Sequence, residues 1–165
     1  MRVSWKSIKA YLQHSPYRGA GILFYTKSNV HTSVLLGRRR RSKMWSVPGG
    51  GMDIADQGDY FSCARRELAE EFGICSNIEH ILDDHGPAQL CSAIIAPGFR
   101  YRTFLVGLSE QPDLTIFPGR ADNDFYKEFD DANWFWLHDL PPRVHPGVIY
   151  SITWLRLYQI IIKSR

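Results

Sequence analysis

The clearest periodic pattern in the chain runs from Phe61 to Phe72. Phe61, Ala64, Leu68 and Phe72 recur at steps of three and four residues, the spacing of an apolar stripe on one face of an α-helix. Gly73 follows directly, and a glycine there can adopt the left-handed conformation that ends a helix. The pattern therefore predicts an amphipathic helix that stops at Gly73.

Six other segments have the features of β-strands, since they are rich in β-branched and aromatic residues and are bounded by turn residues. They are 19–26 and 33–36, which should form a hairpin, and then 44–47, 74–82, 89–96 and 99–108. A weak helical pattern covers 4–13, and a stronger one covers 148–163. The last of these helices should pack on the sheet that the strands form.

Three glutamates share one face of the predicted central helix. Glu67, Glu70 and Glu71 are three and four residues apart, so their side chains lie within one turn. They also lie near the helix C-terminus, where backbone carbonyl groups already carry partial negative charge. A like-charge pair at this spacing costs about 0.2–0.5 kcal/mol, so a compensating cation is expected. Because carboxylates offer only oxygen ligands, the best fit is a hard divalent ion, Mg²⁺ or alternatively Mn²⁺.

The residues around these glutamates resemble the Nudix box. Residues 66–74, RELAEEFGI, match its core REUXEEXGU, in which U is a bulky aliphatic residue. The glycines at 49–51 resemble its glycine start, and their lack of side chains would let the backbone approach a metal or a phosphate closely. A plain flexible turn is the alternative interpretation of three consecutive glycines.

The front half of the box departs from the full pattern, GX5EX7REUXEEXGU. Counted back from Arg66, the pattern has a glutamate where this chain has Gly58, and a glycine where it has Met52. The loop is therefore one residue longer than usual, and no glutamate fills the early acidic position. Asp56 or Asp59 could substitute for it if the loop bulges.

The resemblance to the Nudix (MutT-like) hydrolase family implies an α/β fold in which a mixed β-sheet is sandwiched between α-helices. Residues 1–165 are expected to form a single Nudix domain, with the box at about 50–74. The implied reaction is Mg²⁺-dependent hydrolysis of a pyrophosphate bond in a nucleoside diphosphate linked to another moiety. Its substrate would be a small-molecule nucleotide, of the nucleotide-sugar or nucleoside-triphosphate type.

The resemblance also implies roles for the residues of the box. The expected metal ligands are Glu70, Glu71, Glu67 and a backbone carbonyl of Gly51 or Gly50. Gly50 is expected to contact the substrate as well, through its backbone. Arg66 should brace the glutamates by salt bridges, so its role would be structural support.

A further acidic candidate lies in segment 125–137, which resembles the late strand of a Nudix sheet and its preceding loop. Glu128, six residues before Trp134, occupies a place where family members often carry another glutamate. It is the candidate for an extra metal ligand or a general base, with Asp130 and Asp131 as rivals. The alternative is an acidic surface loop with no role in chemistry.

A basic run, Arg38 to Arg41 followed by Lys43, lies just before the glycines. Such a run is often a solvated turn or a general polyanion patch. Its position supports a sharper hypothesis, that Arg38 and Arg40 bind substrate phosphate through paired N–H donors. Arg102, on the strand 99–108, could line the same groove or face water.

Composition narrows the class of protein. A chain of 165 residues with 44% hydrophobic and 22% charged residues suits one globular domain. Three cysteines without metal-ligand spacing favour reduced thiols and a cytoplasmic location. No secretory segment is expected at the start, and the apolar segment 148–163 is broken by Arg156 and is too short to span a bilayer. A membrane partner is therefore not expected.

Two other functions stay open. The missing glutamate at Gly58 is compatible with a catalytically weak or inactive Nudix-fold module that binds nucleotides or regulates. The arginine run is compatible with a pyrophosphohydrolase acting on RNA 5′ ends, although no RNA-binding signature accompanies it, so a nucleic-acid partner is not expected. The sequence leaves open the identity of the substrate, the general base and the oligomeric state, including a homo-oligomer.

Overall fold

The computed structural model describes residues 16–28, 30–72, 82, 91–112, 114 and 128–163, with side chains described as far as residue 159. Within these residues the chain forms seven strands, two α-helices and one 3₁₀ turn. The strands are β1 (Tyr17–Lys27), β2 (Thr32–Arg39), β3 (Trp45–Ser46), β4 (Gly49–Gly51), β5 (Cys91–Ala96), β6 (Phe99–Leu108) and β7 (Phe129–Trp136). The helices are α1 (Tyr60–Glu71) and α2 (Pro146–Lys163), and the 3₁₀ turn is Ile54–Asp56.

The sheet is mixed and is built around β1. Strand β1 pairs in parallel with β6, which pairs antiparallel with β5. On its other side, the start of β1 pairs antiparallel with β4 and its end with β2. Strand β2 in turn carries β3 and β7, both antiparallel. This arrangement brings the glycines of β4 to the middle of the sheet.

Both faces of the sheet are covered by a helix. On one face the apolar stripe of α1 is buried with side chains of the sheet, among them Phe61, Leu68 and Phe104. On the other face α2 buries Val148, Ile152 and Leu155 in a second cluster that includes Leu23 and Leu36 of the sheet. Successive residues of a strand point to opposite faces, so one sheet can serve both clusters. The expected sheet between helices is confirmed.

Helix α1 starts where the sequence provides a cap. The carboxylate of Asp59 accepts hydrogen bonds from the backbone N–H groups of Phe61 and Ser62, which have no partner inside the helix. Helix α2 begins at Pro146, a residue well suited to the first position of a helix. No helix in the described part of the chain is long and apolar enough to cross a membrane.

The segment predictions hold in outline and differ in detail. The predicted strands at 19–26, 33–36, 44–47 and 99–108 are confirmed, as is the helix at 148–163. Strand β2 runs three residues beyond Leu36, to Arg39, because pairing with β7 continues along it. The glycines at 49–51 form a paired strand rather than a flexible turn.

Some predictions fall outside the described residues. These are the helix at 4–13, the stop at Gly73 and the whole of 74–81, 89–90 and 125–127. Leu82, the described residue of the predicted strand 74–82, is helical and buried, so the strand prediction is wrong at that residue.

Candidate active site

Arg66 holds two of the box glutamates on α1. Its Nη1 lies 2.9 Å from Oε1 of Glu67 and 3.1 Å from Oε2 of Glu70, and its Nη2 donates to the carbonyl of Gly51 at 2.8 Å. Of the expected salt bridges between Arg66 and the box glutamates, those to Glu67 and Glu70 are present. These salt bridges offset the repulsion between the carboxylates. The hydrogen bond from Nη2 of Arg66 also occupies part of the Gly51 carbonyl, one of the two carbonyls expected to bind metal.

Asp56 is the buried partner of Arg66. Its two carboxylate oxygens lie 3.1 and 3.0 Å from Nε and Nη2 of Arg66, and the residue is only 4% exposed. The guanidinium holds the pKa of Asp56 below its ordinary range. Asp56 also accepts the backbone N–H of Asp53, which closes the 3₁₀ turn.

The loop before α1 bulges at Gln57 and Gly58, where two consecutive residues have positive φ angles. Gln57 adopts a left-handed backbone conformation, and Gly58 follows at φ +80°. The bulge allows Asp56 to reach Arg66 although it precedes the position of the missing glutamate. Of the two suggested substitutes, Asp56 supplies the acidic contact to the box, whereas Asp59 caps α1.

The third glutamate, Glu71, is held by a different arginine. Oε1 of Glu71 lies 3.2 Å from Nη1 of Arg39, and the same nitrogen lies 3.1 Å from Oε2 of Glu128. The second terminal nitrogen of Arg39 donates to the Gly49 carbonyl at 2.9 Å. Arg39 thus joins α1, β4 and the residue that precedes β7.

Glu71 is buried, and this alters its protonation. The pKa of Glu71 is raised to about 7, mainly by desolvation and also by the charges of Glu67 and Glu128, while Arg39 acts in the opposite direction. The backbone N–H of Gly49 also donates to Oε2 of Glu71 at 2.7 Å, which favours the charged form. A carboxylate in this setting gains strongly from additional positive charge.

Strand β4 can approach the glutamates because it lacks side chains. A Cβ atom on Gly50 would lie 2.4 Å from Oε2 of Glu67, which no real contact allows. At Gly51 the same atom would meet only Tyr17, at an ordinary 3.6 Å. Gly50 is therefore the glycine of the box start that the packing of Glu67 requires.

A cavity of about 610 Å³ opens beside Arg39 and the glycines of β4. Arg39, Gly49 and Gly50 line the end nearest to α1. The rest of the wall is largely apolar or aromatic and comes from the start of β1, from β3 and its flanking residues, from β5 and β6, and from the start of α2. It includes Tyr17, Met44, Val47, Ile94, Phe99, Tyr101 and Val148. A slot with apolar walls and charged groups at one end suits a ligand with a flat apolar part and an anionic part.

The arginines predicted from the sequence lie away from this cavity. Arg38 pairs with Asp130 at 2.7 Å, and Arg40 is an exposed turn residue. Arg102 lies over the ring of Tyr60, on the face of β6 opposite to Tyr101, which lines the cavity. Arg38, Arg40 and Arg102 are therefore not among the residues that line the cavity, and their role in substrate binding stays a prediction.

Arg39 is the site residue that the sequence interpretation missed. The signal was the two-residue period of β2, because Leu35, Gly37 and Arg39 share the face that meets α1. The predicted strand ended at Leu36, so the alternation of side chains between the two faces of the sheet was not followed as far as Arg39.

Glu128 lies in the site and its rivals do not. Its carboxylate shares Arg39 with Glu71, and about half of its side-chain surface is exposed. Asp130 instead binds Arg38 and Lys43, and Asp131 lies 3.8 Å from Arg38. The structure therefore brings Glu128 to the buried glutamate.

The donor set fits a hard cation in type. Among the described residues, no three His, Cys, Asp or Glu side chains converge on one point, because the carboxylates are drawn to Arg66 and Arg39. The available ligands are nevertheless all oxygens, and they lie close together at one end of α1. One of them, the buried carboxylate of Glu71, would be stabilised by additional positive charge. These are the properties that favour Mg²⁺ or Mn²⁺ over a softer metal.

Solved structures with a similar fold include an Ap4A hydrolase and a NUDIX domain complexed with ADP ribose. A C. elegans Ap4A hydrolase in a binary complex matches 90% of this chain and 99% of its own, with 21% identity and a TM-score of 0.57. The NUDIX domain of Shewanella oneidensis NrtR, complexed with ADP ribose, matches 90% of this chain and 97% of its own, with 17% identity and a TM-score of 0.55. No curated protein matches the sequence.

The family comparison covers most of the chain. The model of the NUDIX domain matches residues 16–155, a range that contains every strand described above and all the glutamates of the site. The box core on α1, the mixed sheet between two helices and this match agree. The chain therefore belongs to the Nudix hydrolase family.

Proposed function

We propose that this protein hydrolyses a pyrophosphate bond in a nucleoside diphosphate linked to a further group, with Mg²⁺ as its cofactor. The observation that carries the proposal is the position of the carboxylates. Glu71 and Glu128 meet at Arg39, and Arg39 lines the end of a cavity large enough for a nucleotide. The nucleoside would occupy the apolar part of the cavity, and the phosphates would lie at the charged end.

Glu67, Glu70 and Glu71 are the residues proposed to hold the divalent cation, together with the backbone of β4 at Gly50 or Gly51. A cation bound there supplies positive charge that stabilises the negative charge developing on the phosphates. Arg66 and Asp56 keep Glu67 and Glu70 in place through the ion pairs already described. The N–H of Gly49 fixes the orientation of Glu71.

Glu128 is the proposed general base. Its carboxylate is half exposed and contacts Arg39, which lines the end of the cavity, so a water molecule bound there would be accessible to it. A carboxylate there would accept the proton that the water loses as it attacks. Asp130 does not compete for this role, since both of its oxygens are engaged by cations.

The substrate class is proposed from the cavity and from the solved structures. Tyr17, Phe99 and Tyr101 form a stacked aromatic series along the wall, with ring centres 5.2 and 6.4 Å apart. Aromatic surfaces of this kind bind nucleobases by stacking. The neighbouring structures name Ap4A and ADP ribose, both adenosine compounds with linked phosphates, which makes such compounds the first to test here.

The test is a panel assay with wild-type protein. Dinucleoside polyphosphates, ADP ribose, nucleotide sugars and nucleoside triphosphates are incubated with Mg²⁺ or Mn²⁺, and products are identified by mass. We expect metal-dependent cleavage of a phosphoanhydride bond in at least one class. Binding without cleavage across the whole panel would contradict the proposal.

That outcome would favour the second candidate, a Nudix-fold module that binds a nucleotide without cleaving it. The observation in its favour is the loop, where Gly58 stands in place of the box glutamate and Asp56 is committed to Arg66. Nucleotide affinity measured by calorimetry, compared with the cleavage rate, separates the two functions.

A further inference from the structure

Arg39 has an unusual set of partners for a residue at the edge of a cavity. One of its nitrogens is shared by two carboxylates, Glu71 and Glu128, at 3.2 and 3.1 Å. Its guanidinium also lies over the ring of Phe129, 4.8 Å from the ring centre, and donates to the Gly49 carbonyl. The single positive charge of Arg39 therefore neutralises part of the negative charge of two carboxylates.

The charge of Arg39 is needed most by Glu71. The Glu71 side chain is only 8% exposed, and burying a carboxylate without a nearby cation is costly. Arg66 does not provide that cation, because its contacts go to Glu67, Glu70 and Asp56. Among the residues that the structure describes, Arg39 is therefore the positively charged residue that contacts Glu71.

The two arginines of the site differ in their surroundings. Arg66 is clamped by the buried Asp56 and does not line the cavity. Arg39 lines it, and one of its carboxylate partners, Glu128, is half exposed. Arg39 is therefore the cation that can turn from the carboxylates into the cavity.

We propose that Arg39 is a placeholder cation that neutralises Glu71 and Glu128 until a divalent cation binds and then turns into the cavity to grip a substrate phosphate. Glu71 is shared by Arg39 and the proposed cation site, and two positive charges cannot both lie against it without strong repulsion. The arrival of metal therefore weakens the hold on Arg39. An arginine released beside the phosphates gains a bidentate partner of opposite charge.

The inference rests on the proposed function for the cation site and for the identity of the phosphate-bearing ligand. It makes two predictions of opposite sign for Arg39→Gln. Without the competing guanidinium, metal should bind the carboxylates more tightly, whereas a nucleotide should lose a phosphate contact and bind more weakly. A residue that only supports the fold would not move the two affinities in opposite directions.

The experiment measures binding rather than turnover. Mn²⁺ affinity is determined by calorimetry without nucleotide, and affinity for α,β-methylene ADP is then determined at saturating Mn²⁺. For Arg39→Gln we expect Mn²⁺ to bind at least about threefold tighter and the nucleotide at least about tenfold weaker. Arg100→Gln, which removes the same charge from the exposed start of β6, should change both affinities by less than about twofold.

Arg39→Lys guards against a variant that fails to fold. It keeps the charge but loses the forked donor, so Mn²⁺ affinity should stay close to that of the wild type while nucleotide affinity falls. Unchanged or weaker Mn²⁺ binding by folded Arg39→Gln would overturn the inference. Wild-type protein that binds Mn²⁺ but cleaves no nucleotide would overturn the proposed function instead, and it would leave these affinity comparisons intact.

Discussion

At the scale of single residues, the site contains two ion-pair systems with different partners. Arg66 organises Glu67 and Glu70 with the buried Asp56, and Arg39 organises Glu71 with Glu128. Arg66 of the first system does not line the cavity, whereas Arg39 of the second system does. We expect substitutions in the second to affect chemistry and substitutions in the first to affect stability as well.

Glu71→Gln should abolish metal-dependent turnover while the fold stays intact. The amide keeps the size of the side chain and can still accept the N–H of Gly49, but it is a much poorer metal ligand. Changes in the outer shell of metal sites already cost about 10–100-fold, so we expect a loss of at least about a hundredfold. Phosphate release and thermal melting measure the two effects, and full activity would remove Glu71 from the metal site.

Glu128→Gln should lower the turnover number at least tenfold, since losing a positioned base usually costs about 10²–10⁴. Asp130→Asn is the matched variant, because its carboxylate faces Arg38 and Lys43 instead of the buried cluster. Steady-state rates of both variants at saturating substrate decide between them. Equal rates for wild type and Glu128→Gln would return Glu128 to the role of a surface-loop acid.

At the scale of elements, the site depends on how β4 and the 3₁₀ turn sit against α1. Strand β4 lies against the glutamates because its glycines leave room for them. The 3₁₀ turn delivers Asp56 to Arg66 across the bulged loop. Neither element carries a catalytic side chain, yet both set the positions of those that do.

Gly50→Ala should displace Glu67, because the added methyl group would overlap its carboxylate. We expect weaker Mn²⁺ binding and at least about a tenfold loss of turnover. Gly51→Ala is the control, since its methyl group would make only an ordinary contact with Tyr17. Calorimetry on both variants tests this, and equal Mn²⁺ affinities would show that the contact with Glu67 is unimportant.

Asp56→Asn should destabilise the protein in a way that depends on pH. The folded pKa of Asp56 is lowered, so its charged form stabilises the fold above the unfolded pKa, about 4, and this contribution is lost as the pH falls through the folded value. Breaking a buried ion pair costs roughly 3–5 kcal/mol, which we expect at pH 7. Urea unfolding at pH 7 and pH 3 should show the difference from wild type shrinking in acid.

The sequence predicted the elements well where local patterns decide them. Helix α1 followed from its apolar stripe, and β6 from its run of β-branched and aromatic residues. The partner of Arg66 was harder to predict, because Asp56 reaches it only through a bulge whose shape depends on Gln57 and Gly58. The sequence did not show which arginine enters the site, because that depends on where β2 ends. The end of β2 is set by its pairing with β7, which is distant in the sequence.

At the scale of the whole molecule, the cavity lies where several elements meet. Strands β3, β5 and β6 and the start of α2 each contribute to its wall, and β4 connects it to the carboxylates of α1. No local segment contains this site, so its shape could not be predicted from the order of motifs. A ligand in the cavity would contact both the sheet and α2.

Mn²⁺ and a non-hydrolysable nucleotide should therefore stabilise the fold cooperatively. Phosphate oxygens can complete the coordination of the cation, so each ligand should tighten binding of the other. A ligand at one hundred times its dissociation constant adds about 2.7 kcal/mol to the free energy of unfolding. Thermal melting with each ligand and with both is the measurement, and strictly additive shifts would contradict the coupling.

The parallel pairing of β1 with β6 has a consequence for how the chain is made. Tyr17 aligns with Phe99 and Thr26 with Leu108. One edge of β1 therefore stays unpaired until β6, which is synthesised much later, is available. Until those residues leave the ribosome, the nascent chain exposes an apolar strand that can pair with other chains. Fragments that stop before Leu108 should therefore depend on chaperones and aggregate when expressed alone.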